Sequence, residues 1–227
     1  MTAQTMQIGS RPCRIYGEAH AEYLLLQMTG EHELQSMDSE VAAIAQSAHH
    51  FLFAAIPVES WNDALSPWEA PAVWGTQGFD GNAMDTLRFL MEQVIPTLKR
   101  QFHLPENVKI ILGGYSLAGL FALYALYQTD VFARAASMSG SFWFEGIMEY
   151  VCSHEMKRKP DCLYFSLGDK ESSTDNPILN VVQQNTQEIE TLCHGKGIET
   201  TFVLNSGSHY QACNKRTAAG IHWILNR

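Results

Sequence analysis

The sequence has little positive charge and no long apolar run, and each shortage excludes a class of protein. Lysine and arginine number 15 against 24 aspartates and glutamates, a formal net charge of -9, which repels the phosphate backbone of nucleic acids. No apolar run reaches the roughly 18 residues of a membrane-spanning helix, and the N-terminus lacks the charged-then-apolar order of a signal peptide. We therefore expect a soluble, cytoplasmic protein that neither binds nucleic acid nor spans a membrane.

Cysteine is also scarce, and its spacing argues against metal sites and disulfides. The five cysteines are odd in number and scattered, with no Cys-x-x-Cys pair and no histidines at zinc-ligand spacing. They are Cys13, Cys152, Cys162, Cys193 and Cys213. We expect free, buried thiols, no metal and no cofactor.

The chain has enough apolar content for one sizeable core. Its 227 residues, 46% of them apolar, suit a single domain over residues 1–227. Apolar runs predict strands at 14–17, 22–29, 51–58, 108–112, 133–139, 162–167 and 198–204. Helical periodicity predicts helices at 33–47, 82–98 with a kink at Pro96, after Ser116, at 146–153, from about 177, and at 217–225.

This alternation of strands and helices predicts an α/β fold. The central sheet is expected to be mostly parallel, with helices on both faces. The first two strands are expected to form a short antiparallel edge.

The junction between the strand at 108–112 and its helix has the form of a nucleophile elbow. The apolar strand runs into Gly114-Tyr115-Ser116-Leu117-Ala118-Gly119, and an apolar helix follows. A sharp strand-to-helix turn lifts a serine hydroxyl beside a base and backbone N–H donors. The turn requires small neighbours; Gly114 is one, and Ala118 adds only a methyl where glycine is usual. The context predicts Ser116 as a nucleophile.

His209 is the predicted base. Catalytic groups of a parallel sheet gather at the carboxyl ends of its strands, and among nine histidines His209 alone lies in a short polar loop directly after the last strand. It also follows Ser116 in the expected chain order. By contrast, His222 lies within a predicted helix, and His49 and His50 precede a strand.

A carboxylate should accept the His209 ring N–H, fix its tautomer and stabilise the imidazolium. Asp169 and Glu171, in the GDKE loop after the strand at 162–167, both fit by position. The backbone N–H of Leu117 is expected to be one donor to a developing oxyanion, and a second donor is expected within residues 58–62.

Aromatic side chains follow the carboxyl ends of two strands. Trp61, Trp68 and Trp74 lie in the loop at 59–81, and Trp143 lies in a Phe-Trp-Phe segment. We expect Trp61, Trp68 and Trp143 to wall a pocket suited to an acyl or aryl ester. The alternative is that these rings cap the core.

Three motifs together resemble the Putative esterase branch of the α/β-hydrolase superfamily, which includes siderophore esterases and S-formylglutathione hydrolase. They are GGYSLAGLFAL around Ser116, SMSGSFWF at 137–144, and Gly-x-His at 207–209. The resemblance implies an α/β-hydrolase fold and a Ser, acid and His triad. Members commonly place the acid three residues after the strand-ending glycine, here Gly168, which favours Glu171.

The resulting hypothesis is a serine esterase without a cofactor, acting on a small-molecule ester. Ser116 is the nucleophile, His209 the base and Glu171 the acid that orients it. Two alternatives use the same fold: an acyltransferase that resolves the acyl-enzyme with an alcohol, and a binding protein without turnover.

Overall fold

The computed structural model describes residues 1–46 and 48–227, and within them one eight-stranded sheet has the order β1-β2-β4-β3-β7-β8-β9-β10. Its strands are β1 (Gln4–Ile8), β2 (Arg11–Gly17), β3 (Tyr23–Thr29), β4 (Phe51–Pro57), β7 (Lys109–Tyr115), β8 (Phe132–Met138), β9 (Cys162–Gly168) and β10 (Glu199–Asn205). Strand β2 is antiparallel to β1 and β4, and the pairs from β4 through β10 are parallel. The predicted α/β fold with an antiparallel N-terminal edge is confirmed.

The composition of that edge differs from the prediction. The strand predicted at 22–29 is β3, which lies inside the sheet, parallel to both β4 and β7. The edge is formed by β1 and β2 instead. Strand β1, with the sequence QTMQI, is mostly exposed and carries little apolar signal, so the sequence pattern does not indicate it.

Helices cover both faces of the sheet, as expected. They are α1 (Glu31–Leu34), α2 (Met37–Ala45), α3 (Trp61–Leu65), α4 (Ala83–Phe89), α5 (Ile95–Gln101), α6 (Leu117–Gln128), α7 (Ile147–Ser153), α8 (Val182–Gly195) and α9 (Cys213–Leu225). Helices α2 and α9 pack on one face, and α6 lies in the core of the other. The loop at 59–81 carries α3 and a two-stranded ribbon, β5 (Glu69–Ala70) with β6 (Phe79–Asp80).

Three helix boundaries differ from the sequence prediction. The helix predicted at 33–47 is divided into α1 and α2, and its last predicted residue, Ser47, lies outside the described residues. The helix predicted from about 177 begins at Val182, because residues 177–181 form turns. The last helix begins at Cys213, four residues before Thr217, which adds Arg216 to its first turn.

The helix predicted at 82–98 contains a π-helical segment, Leu90–Val94, between α4 and α5. Pro96 has no N–H to donate, and its ring crowds the carbonyl four residues earlier. A wider π turn relieves this conflict. The irregularity therefore lies in the turn before Pro96 rather than at Pro96 itself.

All five cysteines carry free thiols. Cys13, Cys162 and Cys193 are buried, as predicted. Cys152 is exposed and Cys213 is half-buried, so the expectation of burial is wrong for these two. Among the described residues, no helix combines the length and apolar character needed to cross a bilayer.

Candidate active site

Ser116 stands between β7 and α6 in a backbone conformation that few residues adopt. Its φ is 60° and its ψ is -124°, a combination that costs on the order of 1–3 kcal/mol. The backbone holds it there: its N–H donates to the Met138 carbonyl at 3.0 Å, and its carbonyl accepts the Gly119 N–H at 3.0 Å. The strained turn presents the hydroxyl at the carboxyl edge of the sheet.

The small neighbours of Ser116 are explained by contact distances. A Cβ at position 114 would lie 2.4 Å from the Cβ of Ala118 and 2.6 Å from its carbonyl carbon. Glycine at 114 therefore leaves the room that the Ala118 methyl occupies. The departure from glycine at position 118 is accommodated without disturbing the turn.

The structure brings Ser116, Glu171 and His209 together at the carboxyl ends of β7, β9 and β10. His209 Nε2 lies 3.1 Å from Ser116 Oγ, and His209 Nδ1 lies 2.7 Å from Glu171 Oε2. Because a carboxylate only accepts, Nδ1 carries the proton, and Nε2 is free to accept the serine hydroxyl proton. We call these three residues the triad.

Glu171 is the carboxylate in contact with the base, and its side chain is only 4% exposed. Burial raises the pKa of Glu171, but the hydrogen bond and the charge interaction with His209, followed by hydrogen bonds from Gly168 and Ser139, bring the net pKa below its ordinary value. The Gly168 N–H and the Ser139 hydroxyl donate to Oε1 at 2.6 and 2.7 Å. The carboxylate is therefore held ionised with Oε2 directed at His209.

Asp169 takes a different partner. Its Oδ1 accepts the Gly207 N–H at 2.8 Å, and its own N–H donates to the Asn205 carbonyl at 2.7 Å. Both partners belong to the segment that leads to His209. Asp169 therefore ties the GDKE loop to the loop of the base, rather than touching the imidazole.

The segment at 137–144 packs against the triad from the side of β8. Ser139 donates to Glu171, and Ser141 Oγ lies 3.4 Å from Ser116 Oγ. The Ser141 N–H also donates to the Ser116 carbonyl at 3.2 Å. The Ser-Gly-Ser motif, which the sequence offered only as a family likeness, thus contacts both the nucleophile and the acid.

Two further contacts of the triad were not predicted from the sequence. The Tyr115 hydroxyl donates to the His209 carbonyl at 2.6 Å, and Arg216 Nη1 donates to Glu171 Oε1 at 3.2 Å. Tyr115 adjoins the elbow and was accessible to sequence reasoning by that position. Arg216 lies in helix α9, and no local pattern distinguishes it from other helical arginines.

The Leu117 N–H, the expected first oxyanion donor, lies beside the triad. Leu117 begins α6 directly after Ser116, which is where the first donor is needed. In the range expected for the second donor, the Val58 N–H is already used, since it donates to the Thr29 carbonyl at 3.0 Å. The expectation narrows to residues 59–62.

Ser116 and His209 open into a cavity of about 890 Å³. Trp61 and Trp143, which the sequence suggested as walls of a substrate pocket, are among its lining residues, together with Trp74. Aliphatic side chains also line it: Leu34, Val58, Leu179 and Val182. Among the lining residues, Arg11 is the only lysine or arginine within the described part of the chain.

Trp68 does not line the cavity, and the prediction that it walls the pocket needs correction. Its indole N–H donates to the Glu145 carbonyl at 2.9 Å, and its ring lies 5.2 Å from Tyr150 and 5.8 Å from Phe144. The alternative interpretation, that these rings cap the core, therefore applies to Trp68, which packs beneath the loop.

Within the described residues, no group of three or more His, Cys, Asp or Glu side chains is arranged to hold a metal ion.

The chain is similar to known proteins both in sequence and in fold. The uncharacterised protein YbbA of Bacillus subtilis (strain 168) is 22% identical over 182 residues, which are 76% of this chain and 72% of that protein. The crystal structure of an IroE-like serine hydrolase from Shewanella oneidensis matches with a TM-score of 0.80 at 16% identity, over 98% of this chain and 79% of that one. At this identity the likeness shows the fold.

The enterobactin esterase of Shigella flexneri matches with a TM-score of 0.75 at 17% identity, over 100% of this chain and 60% of that one. The siderophore hydrolase EstA of Aspergillus nidulans matches with a TM-score of 0.72 at 18% identity, over 99% of this chain and 94% of that one. A family model described as Putative esterase matches residues 33–215, a range that contains all three triad residues. The protein therefore belongs to the Putative esterase family.

Proposed function

We propose that this protein hydrolyses a carboxylic ester through an acyl-enzyme on Ser116. The observation that carries the proposal is the hydrogen-bonded chain from Ser116 through His209 to Glu171, with distances of 3.1 and 2.7 Å, in the wall of a cavity that tryptophan and aliphatic side chains also line. Hydrolysis of an ester requires a nucleophile, a base and a cavity for the substrate, and this site supplies all three.

In the first half of the reaction, Ser116 Oγ attacks the ester carbonyl while its proton passes to His209 Nε2. Glu171 stabilises the imidazolium that forms, and the Leu117 N–H faces the developing oxyanion. Collapse of the tetrahedral intermediate breaks the bond to the alkoxide, which takes the proton from Nε2 and leaves as the alcohol. Ser116 then carries the acyl group.

In the second half, water attacks the acyl carbonyl and gives a proton to His209. The second tetrahedral intermediate expels Ser116 Oγ, which recovers that proton, and the carboxylic acid leaves. Each half uses the same base first to accept and then to donate a proton.

The cavity favours an ester with an apolar or aromatic group over a polyanionic substrate. The Shigella enterobactin esterase was crystallised in the presence of 2,3-dihydroxy-N-benzoyl-glycine, which carries an aryl ring. In this chain, Trp61, Trp74 and Trp143 line the cavity and could pack against such a ring. Here Glu31, Glu33 and Glu59 line the cavity beside Arg11. Their carboxylates disfavour a substrate with several negative charges.

The proposal is tested with a fluorophosphonate probe and intact mass spectrometry. The wild type should gain one covalent adduct, and Ser116→Ala should gain none. Ser141→Ala is the matched control, because its hydroxyl lies 3.4 Å from that of Ser116; this variant should still form the adduct, mapped to Ser116.

Ester hydrolysis should follow the labelling. Ser116→Ala and His209→Ala should each lower kcat by about 10⁴ to 10⁶, and the double variant should be hardly slower, because the two residues act as a unit. Activity of Ser116→Ala within about tenfold of wild type would refute the mechanism. Strictly additive losses would show that the pair is misassigned.

A further inference from the structure

One side chain outside the triad contacts all three of the segments that carry it. Arg216 lies in the first turn of α9, and its side chain is 3% exposed. Its Nη1 donates to Glu171 Oε1 at 3.2 Å and to the Tyr115 hydroxyl at 3.2 Å. Its Nη2 donates to the Ser206 carbonyl at 3.0 Å. The guanidinium thus joins the acid's loop, the strand before the nucleophile and the loop of the base.

The number of hydroxyl protons around Glu171 shows why a further hydrogen-bond donor is needed there. The Tyr115 hydroxyl proton is directed at the His209 carbonyl, and the Ser139 hydroxyl lies within donor distance of both Glu171 Oε1 (2.7 Å) and the Tyr115 oxygen (2.9 Å). Each hydroxyl has only one proton, so the remaining lone pairs on Tyr115, Ser139 and Glu171 need a donor. Arg216 has only donors, and its Nη1 is 3.4 Å from Ser139 Oγ and 3.2 Å from each of the other two oxygens.

The charge of Arg216 has a second consequence. A buried carboxylate without a cation would hold the imidazolium of the first step tightly, because attraction between charges is strong where water is excluded. The guanidinium offsets part of the charge on Glu171 through Oε1 and leaves Oε2 to His209. The imidazolium can then give its proton to the leaving alkoxide.

Building on the proposed function, we propose that Arg216 is a positioning residue of the triad. It fixes the orientation of Glu171 and of the His209 loop, and it moderates the hold of Glu171 on the protonated base. It does not reach the substrate, since it is not among the residues that line the cavity in the described part of the chain.

The other ionisable groups around this network are few. Tyr115 lies on β7, and burial raises its pKa well above the ordinary value, so it stays neutral through the working range of pH. Cys213, on α9, contacts the His209 carbonyl at 3.5 Å. Asp169 faces Gly207, and Tyr210 lies beside the His209 ring.

The test compares Arg216→Met and Arg216→Lys with a buried arginine elsewhere. Arg134 is the matched control: its side chain is also 3% exposed, and its Nη1 donates to the Ile224 carbonyl at 2.6 Å, away from the triad. Rates are expressed per active site, counted by fluorophosphonate adduct, so that loss of folded protein does not affect them.

We expect Arg216→Met to lower kcat about 10- to 100-fold with KM within about threefold, because the acid and base are misplaced but the pocket is intact. The acidic limb of its kcat/KM profile should move up by about half to one pH unit, since an uncompensated Glu171 keeps the base protonated at higher pH. Arg216→Lys should keep the limb near wild type with an intermediate kcat, because the charge remains but a single ammonium cannot span both Glu171 and the Ser206 carbonyl. Arg134→Met should lower Tm and leave both readouts unchanged.

Three results with the arginine variants would overturn the inference. One is wild-type kcat and pH profile in Arg216→Met; another is the same limb shift in Arg134→Met. If Arg216→Met does not fold, the Lys variant decides, and a wild-type kcat in that variant overturns the inference. A wild type that forms no adduct overturns the proposed function and this inference together, whereas a labelled wild type with unaltered Arg216 variants overturns this inference alone.

Discussion

Glu171 and Asp169 leave the same strand two residues apart, yet they take different partners because their side chains differ in length and position. Glu171, three residues after Gly168, accepts the Gly168 N–H on one oxygen and reaches the imidazole at 2.7 Å with the other. Asp169, directly after Gly168, reaches only the neighbouring Gly207 N–H. Sequence position alone left the two open, and the spacing typical of the family favoured Glu171, which is the residue at the ring.

Substitution of each carboxylate by its amide separates the two roles. Glu171→Gln should lower kcat by up to about 10⁴, because an amide cannot accept the ring N–H in the same way and the wrong tautomer results. It should also lower Tm, because the buried Arg216 loses its charged partner. Asp169→Asn should keep kcat within about threefold and lower stability by about 1 kcal/mol, the value of one loop hydrogen bond. Steady-state kinetics and thermal unfolding on both variants are sufficient.

The reversed pattern would exchange the assignment. If Asp169→Asn lost activity at wild-type Tm while Glu171→Gln stayed active, Asp169 would have to be the acid in solution. Each variant serves as the control for the other, since both change a carboxylate to an amide in the same loop.

Residues of the site differ in how far the sequence reveals them. Ser116 and His209 could be predicted, because the elbow requires a local pattern and the base must follow the last strand of the sheet. Tyr115 beside the elbow and Ser139 in the Ser-Gly-Ser motif stand in positions that the sequence marks as close to the site. The contacts of these two residues and of Arg216 could not be predicted, because they depend on three distant segments meeting at one point. A buried network of this kind leaves no regular spacing of residues in the sequence by which it could be recognised.

At the scale of elements, strands buried on both faces were predictable and polar or short elements were not. Strands β4, β7 and β9 are continuous apolar runs, and their predicted bounds agree with the structure within a few residues. Strand β1 is mostly exposed, and its pairing with β2 decides its conformation. The short helix α3 in the tryptophan loop also depends on tertiary packing, so only its loop was expected.

The tryptophans of these elements divide into those that line the cavity and one, Trp68, that packs on the core. Trp143 lines the cavity, with Trp74 at 5.4 Å from its ring, whereas Trp68 packs among Phe144, Tyr150 and Tyr124. Trp143→Ala should change the ratio of kcat/KM between short and long acyl esters about 5- to 50-fold, since each methylene contact is worth about 1 kcal/mol. Trp68→Ala should lower stability by about 3 kcal/mol and leave that ratio alone.

Measurement of both variants on a series of p-nitrophenyl esters, with Tm recorded in parallel, distinguishes the two positions. Selectivity that is unchanged in Trp143→Ala would place its ring in the core rather than in the substrate pocket. A selectivity change in Trp68→Ala would place that ring in the path of the substrate.

At the scale of the whole molecule, one buried carboxyl lies where helix α2 packs against the sheet. Glu40 is 4% exposed, and its Oε1 accepts the Gln27 amide N–H at 2.8 Å. Burial raises the pKa of Glu40 from 4.5 to about 8, against the lowering effect of the Gln27 hydrogen bond and with a further increase from the charge of Glu33. At neutral pH the folded protein therefore keeps a proton on Glu40 that the unfolded chain releases.

This proton difference gives the stability a definite dependence on pH. Between pH 4.5 and about 8 the folded state binds more protons at this site than the unfolded state, so the free energy of unfolding falls as pH rises through that interval. Below the interval Glu40 is protonated in both the folded and the unfolded state, so its titration does not change the free energy of unfolding. Above it, the carboxyl is ionised in both states and the penalty is complete.

Replacing Glu40 by glutamine removes the titration and keeps the shape. We expect Glu40→Gln to match the wild type in stability near pH 4.5, the lower end of the interval. The variant should then become more stable than the wild type by about 1–3 kcal/mol as pH approaches 8.

Glu92→Gln, a substitution at an exposed position on the π segment, is the control and should show no such trend. Chemical unfolding at several pH values measures the difference, because titrating groups that do not interact with Glu40 cancel between variant and wild type. A difference that stays constant with pH would mean that Glu40 titrates alike in the folded and unfolded chains, and that water reaches the α2–β3 contact.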